Sequence, residues 1–129
     1  MIILTIRTDK KEAEIGLYDD ETQIAYETWE AHRALAETLH IKINAMLQSY
    51  KKDWHDIQGV MVYQGPGSFT GLRIGISVAN ALAYALGVPI KEGIGDDWLS
   101  KSLENTFESD KKFIVPFYGV EAIVTSPLK

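Results

Sequence analysis

Apolar positions along this chain follow two rhythms, and the switches between them mark the elements. Met1 to Ile6 is nearly continuous in apolar, largely β-branched residues, the pattern of a strand covered on both faces. After a polar loop from Thr8 to Glu12, the runs Ala13–Tyr18 and Gln23–Trp29 predict two strands joined at Asp19-Asp20-Glu21-Thr22. Ile15 and Leu17 alternate there with Glu14 and Gly16, so that strand has one covered face. From about Ala31 to Tyr50 the period becomes helical: Leu35, Leu39, Ile43, Met46, Leu47 and Tyr50 share a stripe, with Glu30, Glu37, Lys42 and Gln48 elsewhere. Val60 to Tyr63 is a short apolar run suited to a central parallel strand.

The stretch Gly65 to Pro89 predicts a glycine-rich turn and a long helix. Ser68 and Thr70 are both suited to cap its start, and Gly87 followed by Pro89 closes it. Gly71, Gly75, Ala79 and Ala83 recur every four residues, a small-residue stripe along which another backbone can approach closely. The other faces carry Leu72, Ile74, Ile76, Val78, Leu82 and Leu86, so the helix is apolar nearly all round and needs cover on more than one side. A sheet supplies one cover; a partner chain is expected to supply the other. Val88 to Ile90 predicts a short fifth strand, Asp97 to Phe107 a third helix, and Lys112–Phe117 and Val120–Thr125 further extended runs.

Three strands, a helix, a strand, a helix, a short strand and a helix form an antiparallel meander followed by right-handed crossovers. The expected α/β architecture is a mixed five-stranded sheet with flanking helices, as in a ribonuclease-H-like domain or a lobe of the actin-like ATPases. The 129 residues suit one such domain, with a core over about 1–107 and an extended tail over 108–129.

Composition narrows the chemistry. There is no cysteine, so neither a disulfide frame nor thiolate catalysis is available. Arg7 interrupts the opening apolar run, which therefore does not resemble a signal peptide, and a cytoplasmic location is expected. Ile74 to Ile90 holds seventeen residues without a charge, short for a membrane span and interrupted by Asn80, Gly87 and Pro89; a buried helix of a non-membrane protein is the reading adopted. The net charge of −5, with scattered lysine pairs, is a poor match to independent nucleic-acid binding.

Gly65, Gly67 and Ser68 form a turn that could cradle an anion at a helix start, although the spacing is not that of a Walker loop and no Lys-Ser/Thr follows. Two-metal nuclease chemistry needs a carboxylate on the first strand, where Arg7 stands; Asp9 falls in the loop beyond. His32, His40 and His55 have no metal-ligand spacing, and Ser68 and Ser77 have no histidine–aspartate escort. Trp29, Trp54 and Trp98 lie in different elements and are expected to pack. No catalytic residue, metal site or cofactor is expected.

The run Gly65-Pro-Gly-Ser-Phe-Thr-Gly-Leu-Arg-Ile-Gly75 resembles the signature of the TsaB (YeaZ) family, which is related to the glycoprotease-like and actin-like proteins. Supporting matches are Ile-Leu-Thr-Ile-Arg-Thr at the start, the region of His32, and Asp56-Ile57; the resemblance covers roughly residues 1 to 107. It implies a non-catalytic subunit in the formation of N6-threonylcarbamoyladenosine in tRNA. Such a subunit pairs with a TsaD-like catalytic subunit, is joined by a TsaE-like ATPase, meets tRNA only within the complex, and can also form a homodimer. The implied pairing surface lies on the first two helices, which assigns Leu35, Leu39, Gly71, Leu72, Arg73, Gly75, Ile76, Ala79 and Ala83 to the partner interface. Arg7 stands where the family usually has aspartate, and the chain matches a one-lobe form. A nucleotide- or anion-binding actin-like enzyme fragment using the Gly65–Ser68 turn is the competing expectation.

Overall fold

A computed structural model describes residues 1–31, 34–67 and 69–99 of the chain. Strands β1 (Ile2–Arg7), β2 (Glu12–Asp19) and β3 (Thr22–Glu30) are followed by helix α1 (Leu35–Ser49), a 3-10 turn at Trp54–Asp56, strand β4 (Gly59–Gly65), helix α2 (Phe69–Leu86) and strand β5 (Ile90–Ile94). They build one five-stranded sheet in the order β3-β2-β1-β4-β5. The β1–β2 and β2–β3 pairs are antiparallel, and β1–β4 and β4–β5 are parallel. The expected mixed sheet with its three-stranded meander is therefore present.

Strand register sorts the side chains between two faces. Leu4 pairs with Leu17 and Val60, and Ile6 with Ile15 and Val62, so these six share the face on which α1 and α2 pack. Leu35, Leu39, Ile43, Met46 and Leu47 of α1, and Leu72, Ile76, Ala79, Leu82 and Ala83 of α2, are buried in the same core. The lateral edge is tied by Lys42 of α1, whose Nζ lies 2.9 Å from Glu27 of β3. On the opposite face, Thr5 stands against Gly16 and Arg7 against Glu14. There Tyr63 meets Trp98 edge-on, with ring centroids 5.6 Å apart.

Three element boundaries differ from the expectations, each for a backbone reason. Helix α1 begins at Leu35 rather than near Ala31, because β3 stays paired as far as Glu30, opposite Glu12. Helical geometry starts only after the chain has left the sheet. Tyr50, counted in the helical stripe, lies just past the end of α1 and is exposed. Strand β5 occupies Ile90–Ile94 instead of Val88–Ile90. The Val88 N–H closes α2 by donating to Ala83, and Pro89 offers only its carbonyl, which accepts from Val60 N–H at 3.0 Å. Of the expected third helix, Asp97 lies in a turn and Trp98 and Leu99 are helical; residues 100–107 lie outside the described residues, as do the extended runs Lys112–Phe117 and Val120–Thr125. Among the described residues no helix is long and apolar enough to cross a membrane.

Candidate functional site

The glycine-rich turn follows the C-terminal end of β4, beside the end of β1. Its underside is filled by the chain itself. Arg7 Nε donates to Asp9 Oδ1 at 2.6 Å and its terminal nitrogen to Asp9 Oδ2 at 3.2 Å, a two-point ion pair in which both side chains are nearly buried. The same guanidinium lies 3.8 Å from the centre of the Tyr63 ring, and Tyr63 Oη donates to the Pro66 carbonyl at 2.8 Å. A Cβ on Gly67 would come within 2.5 Å of Asp9 Cβ and 2.8 Å of its Oδ2, so the turn rests directly on this side chain.

The electrostatics follow from those contacts. Burial works against the Arg7 charge, but the Asp9 hydrogen bond and the negative charge around it outweigh that, and its pKa is raised. Burial pushes the Tyr63 phenol up, with Arg7 pulling the other way. Where two-metal chemistry would need an uncompensated carboxylate at the end of β1, the chain holds a neutralised pair. Asp9, expected only to shape a loop, is thus the counter-ion that lets Arg7 lie under the turn. Of the turn residues assigned to anion binding, Gly65 ends β4 and Gly67 sits on Asp9; Ser68 lies outside the described residues.

The small-residue stripe packs within the chain, against the loop after β1. Thr8, buried just past β1, donates from Oγ1 to the Gly71 carbonyl at 2.6 Å. A Cβ on Gly71 would overlap the Thr8 carbonyl oxygen, and one on Gly75 would overlap Thr8 Oγ1. The close approach inferred from the glycines is real, but the approaching backbone is the β1–β2 loop. Leu35, Leu39, Leu72, Ile76, Ala79 and Ala83 are all covered by this chain's own core. Of the nine residues assigned to an interface, Arg73 alone is exposed.

Among the described residues, an apolar surface stays open between the outer sides of α1 and α2. An apolar cleft of about 670 Å³ is lined by Ala36, Glu37, His40, Ser77, Val78, Ala81, Leu82 and Ala85. A second hollow of about 390 Å³ continues it along Ala36, Thr70, Arg73, Ile74, Ser77 and Val78. Ala36, Ser77 and Val78 belong to both, so the two form one groove. Sequence reasoning missed its floor because Ala81 and Ala85 fall between the glycine stripe and the large apolar residues. The signal was present in the all-round apolar character of α2, which leaves a face over after the core is filled.

The two described histidines do not share a site. His40 packs its ring on Trp54 at 5.2 Å, His55 donates its backbone N–H to the capping carboxylate of Asp53, and His32 lies outside the described residues. Trp54 is pinned in turn by donating to Asn44 Oδ1 at 3.1 Å. Ser77 opens onto the groove. Among the described residues no three histidine or carboxylate groups are placed to hold a metal ion.

Solved structures with the same architecture give the class. YeaZ from Pseudomonas aeruginosa superposes with a TM-score of 0.64 at 24% identity, covering 70% of this chain and 42% of that one. RuvC from Thermus thermophilus superposes with a TM-score of 0.53 at 12% identity, covering 73% of this chain and 64% of that one. Meander, crossovers and sheet order together define an α/β fold of the ribonuclease-H-like, actin-like kind. The family model for "TsaD: tRNA N6-adenosine threonylcarbamoyltransferase" matches residues 29–92. The Bacillus subtilis "tRNA threonylcarbamoyladenosine biosynthesis protein TsaB" is 33% identical over 91 residues, 70% of this chain and 39% of that protein. A tRNA N6-adenosine threonylcarbamoyltransferase of Geotalea uraniireducens is 47% identical over 60 residues, 46% of this chain and 18% of that protein. The chain is TsaB/YeaZ-like. It spans less than half the length of either curated relative.

Proposed function

We propose that this chain is a non-catalytic scaffold subunit of the machinery that forms N6-threonylcarbamoyladenosine in tRNA, and that it pairs with a TsaD-like catalytic subunit through the outer faces of α1 and α2. The observation that carries this reading is the apolar groove between the two helices, left open after each has filled its share of the core. Burying such a face against a second helix pair removes apolar area from water at about 25 cal/mol per Å². The Arg7–Asp9 pair supports a non-catalytic role, since it neutralises the end of β1 where hydrolytic chemistry would need a free carboxylate. In this reading a TsaE-like ATPase joins the pair, tRNA is met through the complex, and the same face permits a homodimer.

The test is co-purification of the full chain with the TsaD-like subunit from the same genome. Ala81→Glu and Ala85→Glu place a charge on the groove at exposed positions and should abolish capture while leaving the melting curve of the isolated chain close to wild type. Undiminished capture by both variants would remove the groove from the interface. The competing reading, a ligand-binding turn at Gly65–Ser68, predicts heat on titration with magnesium and ATP or ADP. The scaffold reading predicts none, because the Asp9 carboxylate already lies against Gly67.

A further inference from the structure

We draw no further inference here: the strongest candidate, the polar hollow of about 320 Å³ between the loop after β1 and the starts of α1 and α2, rests on a helix start and on two lysines that Glu14 and Glu30 already hold, and nothing among the described residues shows what would fill it.

Discussion

Gly75→Ala tests the contact that holds α2 to the end of β1. In a helix interior, alanine in place of glycine contributes about 1 kcal/mol through backbone entropy, so an unobstructed site would become more stable. Gly75 is obstructed: its new Cβ would overlap Thr8 Oγ1, and Thr8 is buried and bonded to the Gly71 carbonyl. Forcing a methyl group into that contact costs about 1–3 kcal/mol, and displacing the Thr8 hydroxyl forfeits a hydrogen bond of about 1 kcal/mol. The net expectation is a loss of about 1–3 kcal/mol, read as a lower urea midpoint with unchanged slope by far-ultraviolet circular dichroism. Thr8→Ala in the Gly75→Ala background removes the obstructing oxygen, and the two changes should couple by about 1 kcal/mol in a double-mutant cycle. Gly87 supplies the contrast. It has φ of +67° and nothing within 4 Å of an added Cβ, so Gly87→Ala should cost about 1 kcal/mol that no Thr8 change recovers. Equal or greater stability of Gly75→Ala would refute the assignment of the glycine stripe to packing within the chain.

Other consequences are more local. Arg7→Ala leaves the Asp9 carboxylate buried without its partner and should cost about 3 kcal/mol in denaturant unfolding, whereas Arg7→Met with Asp9→Asn should recover most of that loss. Burial, then a hydrogen bond to Glu14, pushes the Tyr26 phenol up to about 12. Because the folded state favours the neutral phenol, its contribution to stability is complete below the ordinary tyrosine pKa and is lost as pH rises from about 10 to about 12. Phenolate absorbance should lose its highest-pH component in Tyr26→Phe, and Glu14→Gln should move that component to lower pH. Asp53 caps the 3-10 turn by accepting from His55 N–H at 2.8 Å, so Asp53→Ala should lower stability by about 1 kcal/mol in the same urea assay.

Period and punctuation in the sequence determined the meander, the two helices and the parallel crossovers, because each depends on side chains a few residues apart. The pattern of Leu35, Leu39, Ile43, Met46 and Leu47 marks a buried helix face wherever that helix lies. Pro89 likewise moved the expected start of β5 by only two residues. The site was less legible, since its contacts join residues far apart in the chain. Thr8 and Gly71 are sixty-three positions apart, and neither alone reveals that a hydroxyl occupies the clearance that the glycines provide. The periodicity of α2 showed that two faces needed cover, but not which face the sheet would take. Tertiary packing decided that, placing the glycines on Thr8 and leaving Val78, Ala81 and Ala85 open. Asp9 is the same case in charge, a loop carboxylate by sequence that became a buried counter-ion once β1 and β4 lay side by side.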